Sequence, residues 1–290
     1  VFLFGALLRA IRPGSRLIII GDADQLSPVG AGEVFNDMLK SGVFMSVRLS
    51  DIFRQAQGSS IVTNAHLINE GRMPDCSNKG DFFFLKRENA ADVRELLVSL
   101  CTSRLPNAYK YDPLKDIQII CPTRKGDAGT VALNALLQSK LNPPSTAKSE
   151  REVRDVVFRE GDKVMVVKNN YDIEWTDEDG TTGNGVFNGD IGFITKIDRA
   201  EESFSVSFDD GRNAVFDYSG FDDLEHAYAI TVHKSQGSEY NAVIIPLYGC
   251  PAGLLSRNML YTALTRAGKL AVLVGKVEIL CEMVANNRRS

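Results

Sequence analysis

The sequence of 290 residues has no apolar run approaching the roughly 18 to 20 residues that a bilayer-spanning helix needs. The stretch from Phe2 to Leu8 is cut short by Arg9, so a membrane partner is not expected. Histidine is scarce, with three in the chain, and the five cysteines (Cys76, Cys101, Cys121, Cys250, Cys281) stand far apart with no CxxC pair. That scatter argues against a zinc site and a disulfide framework, and for a reducing, cytoplasmic setting. A basic excess is also missing: 33 Lys and Arg face 37 Asp and Glu, a net charge of −4. Any contact with nucleic acid must therefore come from a local patch and not from a global field. Internal repeats and low-complexity tracts are absent. With 44% hydrophobic and 24% charged residues, the composition excludes disorder, collagen and coiled coil. At roughly 150 residues per domain, the length predicts about two domains.

What is present alternates. Phe2, Leu3, Leu7, Ala10 and Ile11 recur at helical spacing until Pro13-Gly14, and Arg16 to Ile20 then forms a short apolar run ending in Gly21-Asp22. This reads as a helix feeding a strand buried on both faces, the signature of a parallel α/β sheet. A loop and a helix over Val34, Phe35, Met38 and Leu39 follow, closed by Gly42. Ser59 or Ser60 can cap the next helix, whose face is Ile61, Ala65 and Ile68. Strands are predicted at Phe82–Leu85 and Ile117–Cys121, with helices carrying Val93, Leu96, Leu97, Leu100 and then Leu133, Leu136, Leu137, Leu141. A polar, Pro-containing linker spans Asn142 to about Glu152. Beyond it, short β-branched and aromatic runs (Val156–Val167, Gly192–Ile197, Ser203–Phe208, Ala214–Tyr218) are separated by turns such as Asn188-Gly189-Asp190. Four or five strands in about 70 residues predict a small β-barrel. Tyr228–Val232, Ala242–Pro246 and Leu270–Val274 return to buried-strand texture, with a helix carrying Leu260 and Leu264 between them. The barrel is thus inserted into an α/β unit. The predicted division is 1–48; 49–150 joined to 224–290; and the inserted barrel at 151–223.

Four segments carry candidate chemistry. Gly21-Asp22-Ala23-Asp24-Gln25 opens a loop where ligands bind in open α/β sheets; carboxylates there suit Mg²⁺ and Gln25 suits a water or phosphate, although Asx caps of a plain turn give the same string. Arg54-Gln55 and Thr123-Arg124-Lys125-Gly126 are either phosphate forks or solvated basic loops. Thr231-Val232-His233-Lys234-Ser235-Gln236-Gly237-Ser238-Glu239 runs from a strand into a polar turn suited to a nucleic-acid backbone. Tyr261, Thr262, Thr265 and Arg266 lie three or four apart on a predicted helix surface, and an arginine so held can be aimed at a phosphoryl group or simply face solvent.

Their order is more specific than any one of them. The strings GDADQLSPVGAG, LSDIFRQAQGSSIVTNAHLINEG, ICPTRKG, ITVHKSQGSEYNAVIIP and LYTALTRAGKLAVLVG resemble, collinearly and over nearly the whole chain, motifs of the superfamily 1 DNA helicases of the RecD/TraA type, which include the exonuclease V alpha subunit. The inserted barrel, with Phe187-Asn188-Gly189-Asp190-Ile191-Gly192, resembles the SH3-like subdomain of that group. The resemblance implies two RecA-like motor domains sandwiching ATP, with DNA across their top. It gives Gln25 a γ-phosphate sensor's role, with Asp22 beside it in the same motif, and makes Arg54 and Arg266 arginine fingers. It sets Gly237 and Glu239 at the nucleotide. Thr123, Arg124, Thr231, His233 and Lys234 would lie along a single strand. It also implies 5′ to 3′ translocation, duplex junctions as substrates, and recombination subunits as potential partners.

One departure matters. No G-x-x-x-x-G-K-[ST] occurs: Gly268-Lys269 is followed by Leu270 and Gly275-Lys276 by Val277. The chain is therefore expected to be the C-terminal part of a longer helicase, lacking the Walker A and Walker B motifs. It would hold no metal ligands of its own, with the Mg²⁺ acids upstream of Val1, and would be inactive alone as an ATPase. The helicase portion of a conjugative relaxase, or a non-catalytic DNA-binding or docking module, are the alternatives.

Overall fold

The computed structural model describes residues 1–27, 30, 32–49 and 58–287. In chain order the elements are α1 (Phe2–Ala10), α2 (Val34–Ser41), α3 (Ser60–Asn69), β1 (Phe82–Lys86), α4 (Ala90–Ser99), α5 (Leu105–Tyr109), β2 (Ile117–Cys121) and α6 (Thr130–Leu141). There follow β3 (Glu150–Val153), β4 (Val156–Arg159), β5 (Lys163–Val166), β6 (Asn170–Thr176), β7 (Thr182–Val186), β8 (Ile191–Asp198), β9 (Ser203–Phe208), β10 (Asn213–Asp217) and β11 (Leu224–His226). The chain closes with β12 (Ala229–Thr231), β13 (Tyr240–Leu247), α7 (Arg257–Leu264), β14 (Ala267–Gly275) and α8 (Val277–Ala285).

Five strands form one parallel sheet in the order β1-β14-β13-β2-β12. Their continuous apolar runs are explained by burial on both faces, and the period of two divides each strand between two cores. Val243 and Ile245 of β13 join Ala271 and Leu273 of β14 beneath α3, α7 and α8. Ala242 and Ile244, with Leu270, Val272 and Val274, face α4 and α6 instead. Caps fix where the helices start. Ser59 Oγ accepts from Val62 N and donates to Asp81 Oδ2 at 2.6 Å, while Asp81 Oδ1 takes Ile61 N; Asn89 caps α4 and Ser256 caps α7.

The inserted segment departs from the four or five strands expected. Seven antiparallel strands, in the order β11-β5-β8-β9-β10-β6-β7, enclose a core including Phe158, Ile194, Phe204, Val206, Phe216 and Phe221, and β3-β4 forms a separate ribbon. The predicted strand Val156–Val167 is broken in two by a turn at Gly161, whose φ of +89° is left-handed backbone that glycine adopts without strain. The acidic segment around Trp175 is the β6–β7 hairpin. Its strands are mostly polar and exposed, so no hydrophobic alternation marks them. Trp175 lies against Gly183, and the Arg212 guanidinium sits 5.7 Å from its ring.

Buried polar groups join the two sheets. Asp162 accepts hydrogen bonds from Arg159 N, Gln138 Nε2, Asn142 Nδ2 and Tyr228 OH and is paired with His226 Nε2 at 3.0 Å. Burial raises the pKa of this carboxyl, but the hydrogen bonds from His226, Asn142 and Tyr228 outweigh it and the net shift is downward. Lys163 Nζ, fully buried, donates to Gln118 Oε1 at 3.0 Å.

Within residues 1–49 the two expected helices form, but the expected strand does not. α1 forms but buries none of its residues. The run Arg16–Ile20 is not a strand: Ile18 and Ile20 are 74% and 92% exposed, and no described strand pairs with it. Extended apolar backbone becomes a strand only where a neighbour takes its N–H and C=O groups, and none of the described strands lies alongside.

Candidate functional site

The strands of the parallel sheet present two ends, and the candidate residues divide between them. At the C-terminal end of β2 lies the turn Pro122-Thr123-Arg124, and beside it, because Thr231 pairs with Cys121, the turn that follows β12. Thr123 is buried, its hydroxyl bonded within its own turn to Lys125 N and O, so its side chain faces inward. Arg124 Nη2 reaches Glu225 Oε1 at 2.9 Å and Lys234 Nζ reaches Glu225 Oε2 at 2.7 Å. His233 is exposed and Thr231 half-buried. Thr231 lines a small crevice with Thr130, Asn134, Glu225 and Lys234.

The second group lies at the N-terminal ends of β13 and β14. Arg266 is half-buried, and its guanidinium donates to Thr262 O, Ser238 O and Thr265 Oγ1, each at 3.2 Å. Tyr240 N bonds Arg266 O, and Gly268 lies so near Glu239 that a Cβ there would stand 2.6 Å from its Oε1. Gly237 and Glu239 are exposed on the same turn. Among the described residues no carboxylate lies within 4 Å of Arg266. Three of its five N–H groups are engaged, so donors remain for an anion.

The loop of Asp22 and Gln25 belongs with this second group, although the strand expected before it is absent. Asp22 Oδ2 accepts from Gln25 Nε2 at 3.0 Å and from Tyr261 OH at 3.1 Å; burial first, and then the Asp22 carboxylate, push the Tyr261 phenol well above its ordinary pKa. Leu26 N donates to Thr262 Oγ1 at 2.8 Å, and Leu26 O accepts from Gln236 Nε2 at 2.8 Å. Asp24 Oδ2 accepts from Asn69 Nδ2 at 2.9 Å. Thr262 therefore holds the loop with its hydroxyl and Arg266 with its carbonyl. This corrects the expected surface position of Thr262: it is fully buried, because the loop covers that face of α7. Arg54 falls outside the described residues. Sequence reasoning missed Glu225, Gln236 and Asn69. Each acts through a partner more than 40 positions away, except for Glu225 with Lys234, and no local pattern carries such a signal.

Three family models match in succession: an AAA domain over residues 3–82, an ATP-dependent RecD-like DNA helicase SH3 domain over 133–208, and a UvrD-like helicase C-terminal domain over 226–274. The ATP-dependent RecD2 DNA helicase of Deinococcus radiodurans is 33% identical over 266 residues, covering 90% of this chain and 33% of its own length. The chain is similar over most of its length to RecD-like DNA helicases. The RecBCD enzyme subunit RecD of Mycobacterium tuberculosis is 28% identical, over 94% of this chain and 47% of its own. The conjugal transfer protein TraA of Agrobacterium fabrum is 26% identical, over 88% and 22%. The chain thus spans between about a fifth and a half of the length of these relatives. A crystal structure of a Pif1 helicase from Bacteroides in complex with ADP-AlF3 and ssDNA shares the fold, with a TM-score of 0.50 at 19% identity over 91% of this chain and 62% of that one. The class is α/β, a RecA-like parallel sheet with an SH3-like insertion. No described helix is long and apolar enough to cross a membrane.

Proposed function

We propose that this chain supplies the second motor domain, with its SH3-like insertion, of a cytoplasmic ATP-dependent DNA helicase that moves 5′ to 3′ along single-stranded DNA toward duplex junctions in repair or recombination. The organisation proposed is a first-domain portion at 1–48, the second RecA-like domain at 49–150 and 224–290, and the insertion at 151–223. ATP turnover needs a phosphate cradle that these 290 residues do not contain, so the activity is that of a protein joining this chain to one. Recombination subunits are its expected partners.

The observation that carries this reading is the division of the candidate residues between opposite ends of the parallel strands. At one end Arg266 keeps unused donors and no carboxylate partner among the described residues, a donor set that fits a polyphosphate. When bound, ATP with Mg²⁺ supplies a transferable phosphoryl group whose charge needs cations around it. Arg266 would supply one such cation, and Arg54 is proposed as a second. Gln25, oriented by Asp22, would report on that site, and Gly237 and Glu239 would border it. Thr262 ties Gln25's loop to Arg266, so a change at one is felt at the other. At the opposite end Arg124, Lys234, His233 and Thr231, with Thr123 shaping the turn, would hold phosphodiesters without reading bases. The likeness to TraA favours one variant of the reading, in which the same motor serves a conjugative relaxase.

The test is fluorescence anisotropy of this chain with labelled single-stranded DNA across a salt series. Binding should weaken linearly on a log–log plot, with a slope of about −0.7 per phosphate contact, and Arg124→Ala should make the slope shallower by about that amount. No binding at low salt would remove the DNA-grip half of the proposal.

A further inference from the structure

Glu225 is given no role in the proposed function, yet it touches both cations of the proposed grip. It is the middle residue of β11, an edge strand of the SH3-like sheet, and its backbone is paired with Met165 of β5. Leu224 before it is buried in the core of that sheet, and His226 after it is bonded to buried Asp162. The backbone under Glu225 is thereby fixed from both sides, while its partly exposed carboxylate keeps the side-chain freedom to turn away from its partners. Arg124 and Lys234, by contrast, stand on turns at the ends of β2 and β12. One oxygen of Glu225 takes Arg124 Nη2 at 2.9 Å, the other takes Lys234 Nζ at 2.7 Å, and the three side chains are 60%, 25% and 38% exposed for Arg124, Lys234 and Glu225.

Two oxygens on one anionic centre, each accepting from a different cation, is the pattern that the two non-bridging oxygens of a phosphodiester present. We infer that Glu225 is a built-in phosphate mimic: its carboxylate occupies the place between Arg124 and Lys234 that a DNA phosphate takes, and binding of the strand displaces it. The inference rests on the proposed DNA grip at Arg124 and Lys234. The carboxylate leaves this cluster a net charge of +1 where the two cations alone would give +2, which lowers non-specific attraction for any polyanion. Because the pairs are partly solvated, each costs little to break, so the mimic weakens binding without abolishing it. Displacement also frees the SH3-like sheet from a contact with the two turns, so occupancy of the grip is passed to the insertion.

The experiment is anisotropy with a short fluorescein-labelled oligodeoxythymidine, comparing the chain with Glu225→Gln, Arg124→Ala, Lys234→Ala, the combination of all three, and Glu282→Gln. The last removes one exposed acidic charge on α8, outside the grip. Thermal melts establish that each variant is folded. Glu225→Gln should bind on the order of 3- to 30-fold tighter, the span expected for removing two exposed ion pairs, with a steeper salt slope. The gain should vanish when Arg124 and Lys234 are also replaced. If the two alanine variants bind weakly but Glu225→Gln binds like the unaltered chain or worse, the grip stands and the mimic is wrong, with Glu225 a structural clasp. A gain matched by Glu282→Gln would also overturn it, as a general charge effect. If neither alanine variant loses affinity, the grip itself fails and the mimic falls with it.

Discussion

Lys163 shows how one residue can carry a cost that the fold tolerates. Its ammonium is fully buried and donates to Gln118 Oε1, and no carboxylate lies within ion-pair reach among the described residues. Burial pushes its pKa from 10.5 down to about 8. The unfolded chain therefore holds this proton more tightly than the folded one, and between those two values stability rises with pH on account of this group. Below about pH 8 the folded state keeps the charge and bears the full desolvation cost. Lys163→Met removes the charge and the titration together. In urea unfolding, the stability of the Met variant relative to the unaltered chain should be higher at pH 7 than at pH 10.5 by about 3 kcal/mol. A difference that stays constant across that range would show that Lys163 is not titrating in a dry site. Leaving Gln118 Oε1 without its donor adds a destabilising cost of about 1 kcal/mol or more that does not change with pH, so the pH trend is separable from it.

At the scale of elements, the contact between the 22–26 loop and α7 decides whether the candidate nucleotide group is assembled. Leu26 N is buried, and its acceptor is the hydroxyl of Thr262. Thr262→Val keeps the shape and deletes the acceptor, so the amide is stranded at a cost of about 1–3 kcal/mol. Hydrogen exchange at the Leu26 amide should accelerate well beyond that of amides in β13, and unchanged protection would mean that Gln236 alone holds the loop.

The same scale shows what the sequence made legible. Every strand of the parallel sheet and the helices α3, α4, α6 and α7 beside it could be read from apolar runs and spacing, because burial on two faces leaves a dense record; α8 was not read. The β6–β7 hairpin could not, since its outward residues are acidic and its inward face is thin. Arg16–Ile20 erred the other way: its composition is that of a sheet strand, but composition says nothing of whether a neighbour lies alongside. In the candidate site, motif order put forward Gln25, Arg124, Lys234 and Arg266. Burial of Thr262 and Thr123, and the bridge through Glu225, arise from contacts between distant segments and were visible only once the chain was folded.

For the whole molecule, the parallel sheet separates the two groups of candidate residues. The negative net charge denies the chain a general affinity for DNA, so the proposed grip rests on the local pair at the ends of β2 and β12. The arginine that faces the proposed nucleotide lies at the other ends of the neighbouring strands. A rigid sheet and α7 connect them, which is the arrangement a motor needs if closing one site is to alter the other. The most direct test is ATP hydrolysis, with and without single-stranded DNA, by this chain alone and by a longer protein that joins it to a phosphate cradle, each beside Arg266→Ala. The account predicts no turnover by the chain alone. For the longer protein it predicts DNA-stimulated turnover that falls about 10³-fold or more in the Arg266→Ala variant while nucleotide binding is largely kept. Turnover indifferent to DNA, or unchanged by Arg266→Ala, would contradict it.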